Sequence, residues 1–360
     1  MSVRRGFQVA SIGLIAGLVL SACGEPPAES DNEDKGGDAL KACMVLDVGG
    51  VDDKSFNEAS WAGLQEAKKE NSNIDISYVS SSSQTDYEPN LNAEVNKGCE
   101  VVISVGGLMA DATKKVAGQH PDTHFAEVDA PSSGKNVYGM QFNTAQPAFQ
   151  AGYLAAAMSK TGKVGTFGGE AIPPVTIFMD GYYEGVQYFN EQNDENVKVI
   201  GWNVDKQKGG TFTNSFTDKG KGKSIAQSFL KQDVDMIHPP SGGAGLGAGA
   251  AIQESGGDAK MIWYDTDGCV SAKEYCDFML TSVTKHMTKA VKDYTLKAAK
   301  GSPPTGDYVG TLENGGVGLA PFHESEDDVP DDVKSDLEQI EKDIIAGKIE
   351  LKSPSQPKAG

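Results

Sequence analysis

The stretch DVGGVDDKSFNEASW, Asp47 to Trp61, follows a short apolar run, ACMVL. It carries four carboxylates, two glycines and two aromatic rings. Such residues could form an acid/base pair, a metal site, a phosphate-binding turn or a cradle for an uncharged ligand. Asp52 and Asp53 are the obvious pair, but adjacent side chains do not converge on one point. Histidines stand only at 120, 124, 238, 286 and 323, none of them near this stretch, and no HExxH pattern occurs. Catalysis by paired carboxylates and a zincin-type site are therefore set aside. Asp53 or Ser55 suits the start of the helix that follows, where an acid also opposes the helix dipole. The remaining chemistry is that of a binding cradle. Asp47 is an acceptor, Gly49-Gly50 permits close approach, and Phe56-Asn57 offers a ring beside an amide.

Two other segments carry motifs. DKGKGKS, Asp218 to Ser224, ends like a phosphate-binding loop. Thr217 stands where that pattern requires its first glycine, so a charged loop opening a helix is the better reading. In HPPSGGAGLGAGAAIQESGG, His238 to Gly257, the spacing Gly245-x-Gly247-x-x-Ala250 fits a loose dinucleotide fingerprint, and Asp265 ends the next strand. Arg4-Arg5 and the apolar stretch 9–20 point to an exported protein, which has no ready supply of NAD. What survives is the physical content: small residues let a sugar approach, and a carboxylate accepts hydrogen bonds from its diol. The serines at 80–83 lack both a GxSxG elbow and a histidine partner, which argues against a hydrolase. No cofactor is expected.

These residues sit at the ends of short apolar runs that alternate with helical patterns. KACMVLD, IDISYVS, EVVISVG and HFAEVD read as buried strands, and residues 56–70 as an amphipathic helix. After GMQFNTAQPA the pattern repeats with KVGTFGG, VKVIGWN, VDMIHPP and KMIWYD, and with helices over 145–158, 180–190, 222–231 and 244–254. Strand–helix alternation in two successive sets predicts an α/β protein of two parallel-sheet lobes; a single (β/α)8 barrel fits the strand count but not the division. Further on, DFMLTSVT reads as a strand with a helix following from Lys285. DYVGTLENGGVGLAPF reads as strand–turn–strand, and residues 331–346 as an acidic amphipathic helix. A chain that returns to the first lobe and then to the second makes a hinged cleft, a standard place for a small ligand.

The N-terminus points outside the cytoplasm. Arg4 and Arg5 precede a short apolar stretch, residues 9–20, and then Leu20-Ser21-Ala22-Cys23. This predicts a lipoprotein signal over 1–22 with Cys23 as the lipidated residue. GEPPAESDNEDKGGD reads as a flexible acidic tether over 23–39. The body of about 320 residues is long enough for two full cores. The formal charge is −19, and loss of Arg4 and Arg5 takes it to −21. Nucleic acid and anionic surfaces are poor partners for such a chain. No arginine follows Arg5. Without the usual fork for phosphate or carboxylate, a neutral polar ligand is favoured. Cys43 opens the first strand and Cys99 precedes the third, neighbours in a 2-1-3-4-5 sheet. The expected disulfides are Cys43–Cys99 and Cys269–Cys276, against an alternative of buried free thiols.

Five ordered blocks carry a family likeness: DVGGVDDKSFNEASWAGLQEA (47–67), SSSQTDYEPNL (81–91), VDMIHPPSGGAGLG (234–247), WYDTDG (263–268) and LTSVTKHM (280–287). Together they resemble the basic membrane protein (Bmp/Med) family, which includes PnrA-type purine nucleoside receptor lipoproteins. The resemblance implies a type I periplasmic-binding-protein fold, two Rossmann-like lobes with a hinged cleft. It implies a non-catalytic, lipid-anchored monomer on the outer face of the cell membrane. That protein would pass purine nucleosides to the permease and ATPase subunits of an ABC importer. A sugar or signalling-ligand receptor of the same fold, or a nucleoside hydrolase, is the alternative. By position, Phe56 resembles the ring that stacks on the purine, Asn57 its hydrogen-bonding neighbour, and Asp129 the carboxylate that reads the base edge. Phe178 or Tyr182 resembles the second ring, with Phe178 favoured. Asp47, Gly242 or Gly243, Asp265 and Lys285 resemble the set that holds the ribose. The lobes are expected at 40–143 with 268–312, and at 144–267 with 313–352, leaving 353–360 as a tail.

Overall fold

The structure, a computed structural model, describes residues 39–358. The expected signal, Cys23 and most of the tether lie outside the described residues.

Lobe 1 is built on β1 (Leu40–Leu46), β2 (Ile74–Ser80), β3 (Val101–Val105), β4 (His124–Val128), β5 (Val137–Phe142) and β11 (Gly306–Gly310), in the order β11-β5-β4-β3-β1-β2. All its pairings are parallel. β1 and β3 are near-continuous apolar runs because helices cover both faces of this sheet. The helices are α1 (Phe56–Glu70), α2 (Tyr87–Asn96), α3 (Ala110–Gln119) and α9 (Met287–Ala299). Disulfide Cys43–Cys99 ties β1 to the turn before β3.

Lobe 2 contains β6 (Lys163–Thr166), β7 (Lys198–Ile200), β8 (Met236–His238), β9 (Lys260–Asp265), β10 (Met279–Lys285) and β12 (Val317–Leu319), in the order β12-β10-β9-β8-β6-β7. Only β12 runs antiparallel to its neighbour among the described strands. Its helices are α4 (Ala145–Met158), α5 (Pro173–Asn193), α6 (Lys219–Leu230), α7 (Leu246–Glu254), the single turn α8 (Gly268–Ser271) and α10 (Asp331–Ile345). Disulfide Cys269–Cys276 closes the loop after β9.

Two expectations need correction. The segment from 268 is expected in lobe 1, yet β10 pairs with β9 inside the second sheet, so the chain crosses back only after Lys285. The fully buried β10 lies inside that sheet between β9 and β12, and sequence alone does not say which sheet a buried strand joins. The strand–turn–strand segment spans a third crossing: β11 joins the first sheet and β12 the second. Finally, 353–356 is no free tail. Ser353 is buried and bonded to Asp180.

Candidate ligand-binding cleft

Every strand that matters ends at the same place, the gap between the C-terminal edges of the two sheets. There the chain leaves the hydrogen-bond ladder and can turn side chains toward a ligand. Asp47 follows β1, Gly106-Gly107 follows β3, and Asp129 follows β4. From the other lobe come Asp265 and Lys285, the last residues of β9 and β10, with Pro240 and Gly242 after β8. These residues line one cavity together with Asp53, Phe56, Pro174, Phe178, Phe216 and Tyr264. The lobes also touch where Thr266 Oγ1 donates to the Lys54 carbonyl at 3.3 Å.

The charge pattern is lopsided. Four carboxylates, Asp47, Asp53, Asp129 and Asp265, surround one cation, Lys285. Its Nζ lies 2.6 Å from Asp129 Oδ2 and 3.3 Å from Asp265 Oδ1, so one ammonium bridges the two lobes. It also stands 5.1 Å from the ring centres of both Phe56 and Phe178, within cation–π range. Asp129 and Asp265 occupy matching positions in the two lobes, and both have left-handed backbones, φ 70° and 64°. Non-glycine residues rarely adopt that conformation, and such strain collects at functional sites. Burial pushes both carboxyls above the ordinary Asp value of 3.8, opposed chiefly by Lys285. Burial also raises Asp47 well above that value, against the Asn57 hydrogen bond. Asp53 is pushed up to about 6 by burial, despite backbone donors.

Asp53 settles the helix start. It accepts backbone N–H bonds from Ser55, Asn57 and Glu58 at 3.1, 2.9 and 3.1 Å. Ser55 Oγ has no hydrogen-bond partner among the described residues. The cap belongs to Asp53, and it presents Phe56 in the first turn toward the cleft. Gly106 explains the place of Asp47: at φ 121° a Cβ there would lie 2.5 Å from Asp47 Oδ2.

A family model described as ABC transporter substrate-binding protein PnrA-like matches residues 40–355. The chain belongs to this family, Bmp. It is thus a substrate-binding protein of an ABC transporter, a class that is non-catalytic and works with permease and ATPase subunits. It is 32% identical over 367 residues to the ABC transporter nucleoside-binding protein BmpA of Lactococcus lactis subsp. cremoris, covering 97% of this chain and 99% of that one. It is 30% identical over 316 residues to basic membrane protein A of Borreliella burgdorferi, covering 86% and 87%. A crystal structure of an ABC transporter system solute-binding protein from Aeropyrum pernix K1 superposes with a TM-score of 0.79 at 25% identity, covering 88% of this chain and 94% of that one. The fold is the type I periplasmic-binding fold.

Of the residues expected in the Bmp-family site, Asp47, Phe56, Asp129, Phe178, Gly242, Asp265 and Lys285 line the cavity. Asn57 does not line it; its Nδ2 donates to Asp47 Oδ1 at 2.9 Å and holds that carboxylate in place. Gly243 lies beside Gly242 but outside the lining. Tyr182 is also excluded. It is fully buried behind Phe178, stacked on His238 with ring centres 5.3 Å apart. Burial holds His238 down at about 4, so Tyr182 packs against a neutral ring. Phe216 and Tyr264 were not foreseen. WYD, a strand end, hid Tyr264 as core. Phe216 sits in the irregular segment TFTNSFTD, without periodicity. In the structure Phe216 packs on Gly169, where a Cβ would come within 2.3 Å of its ring, a contact that no sequence pattern announces.

Proposed function

We propose that this chain captures purine nucleosides outside the cell, held to the membrane by a lipid on Cys23, and delivers them to its permease. One observation carries the reading: two phenylalanine rings, Phe56 and Phe178, face a common centre, each 5.1 Å from the Lys285 ammonium, with carboxylates around them and no arginine. A flat neutral base fits between the rings, and each stack contributes about 1–3 kcal/mol. Asp129 accepts from a ring N–H or exocyclic amine at the base edge. Asp47, held by Asn57, and Asp265 accept from the ribose hydroxyls, while Lys285 donates to them.

The same charges select against phosphate. One lysine already paired with two aspartates leaves the cavity net negative, so a nucleotide meets repulsion where a nucleoside meets acceptors. The nucleoside-binding name of the Lactococcus relative, which spans nearly the whole chain, points the same way.

A thermal-shift screen tests this, because a ligand that binds only the folded state raises the midpoint. Inosine, guanosine or adenosine should raise it in the native protein and not in Asp265→Ala. A rise with free ribose and none with any nucleoside would move the reading to a sugar receptor. Release of free base would make it a hydrolase.

A further inference from the structure

Residues 352–356 are bonded along the back of α5. Thr176, Asp180 and Glu184 are spaced four apart on that helix and share one face. Thr176 Oγ1 lies 2.8 Å from Ser355 Oγ, Asp180 Oδ2 accepts from Ser353 Oγ at 2.6 Å, and Glu184 Oε2 accepts from the Lys352 N–H at 2.7 Å. The segment therefore runs antiparallel to the helix it grips. Phe178 is two positions from both Thr176 and Asp180, about 200° round the helix, and faces the cleft.

Asp180 does more than hold this segment. Its Oδ1 accepts from Trp202 Nε1 at 2.8 Å and from Gln207 Nε2 at 2.7 Å. Those residues belong to the long connection between β7 and α6 that also carries Phe216. Trp202 packs edge-on against Phe212 of the same connection. At the far end, Asn143 Nδ2 donates to Gln356 Oε1 at 3.1 Å. Asn143 lies between β5 and α4, where the chain first crosses from lobe 1 to lobe 2. One fully buried carboxylate thus joins the helix that carries Phe178, the connection that carries Phe216, and a segment that reaches the crossing.

We infer that residues 352–356 form a positioning strap: through Ser353 and Asp180 it sets where Phe178 and Phe216 stand in the cleft, and so how tightly the cleft holds an aromatic ligand. Neither Asp180 nor Ser353 lines the cavity, so both act through the two rings. The affinity consequence rests on the nucleoside reading; the ring positions do not.

The test uses the whole mature chain labelled with fluorophenylalanine, with the Phe178 and Phe216 19F signals assigned from single Phe→Leu variants. Ser353→Ala should shift both signals without ligand and weaken guanosine binding about tenfold, as loss of one hydrogen bond to a charged group allows. Ser353→Thr, which keeps the hydroxyl, should restore both. Unmoved ring signals in Ser353→Ala would overturn the inference. So would moved rings with unchanged affinity, or a loss that Ser353→Thr does not restore. If the native protein binds no nucleoside, the functional reading falls, while the ring signals still decide the strap.

Discussion

Replacing Lys285 by Met keeps the length and apolar stem of the side chain and removes only its ammonium. The site is buried: the side chains of Lys285, Asp129 and Asp265 are 3%, 8% and 8% exposed. Without the cation, Asp129 and Asp265 face Asp47 and Asp53 with nothing of opposite charge among the lining residues. Removing one partner of a buried ion pair costs about 3–5 kcal/mol. For about 320 folded residues, that corresponds to a midpoint lowered by roughly 5–7 °C at pH 7. The pH dependence gives the sharper test. Burial already raises Asp129 and Asp265 above 3.8, and Lys285 is what opposes it. In Lys285→Met both rise further, so the folded form binds protons that the unfolded form releases. Stability of the variant then falls as pH rises through the raised folded values and recovers on acidification. Thermal unfolding of both proteins between pH 5 and pH 8 should show a deficit that is largest at pH 8 and shrinks toward pH 5. An unchanged midpoint at pH 7, or a deficit equal at both ends, would refute the assignment of Lys285 as the counter-charge of the cleft among the described residues.

Three further outcomes follow from the same geometry. Phe178→Ala should weaken purine nucleoside binding by about 1–3 kcal/mol in calorimetry, whereas Tyr182→Phe should leave binding unchanged, and its unfolding midpoint should not fall because the Tyr182 hydroxyl is buried without a partner among the described residues. Gly106→Ala places a methyl 2.5 Å from Asp47 Oδ2 at a φ that disfavours side chains, so both binding and stability should drop, while Gly118→Ala, within helix α3 and with open space at its Cβ, should leave binding unchanged and raise stability slightly. Replacing the Cys43–Cys99 pair by alanines should cost about 4 kcal/mol and the Cys269–Cys276 pair about 2, since the loops they close span 56 and 7 residues; chemical denaturation of the two variants checks the order.

Much of this fold was legible because its strands are short, apolar and regularly interrupted. Residues 56–70 and 145–158 form helices with the bounds read from periodicity. The sheet order placed Cys43 beside Cys99. Periodicity cannot say which sheet a fully buried strand joins, and β10, expected in lobe 1, belongs to the second sheet. In the cleft, charged residues at strand ends were readable because a carboxylate or ammonium there has no packing role. Phe178 and Tyr182 were not separable by type. They lie four apart on α5, and only the packing of Tyr182 on His238 turns it from the cavity. The strap at 352–356 was invisible because KSPSQ has neither period nor large apolar residues; its anchor is a carboxylate 173 residues away.

Titration calorimetry of the mature protein with guanosine, its 5′-monophosphate, cytidine and ribose tests the central claim most directly. A purine nucleoside receptor with two rings, four carboxylates and one lysine predicts micromolar or tighter binding of guanosine, much weaker binding of cytidine and ribose, and little binding of the monophosphate. Binding of the monophosphate as tight as guanosine, or no binding of any purine nucleoside, would contradict it.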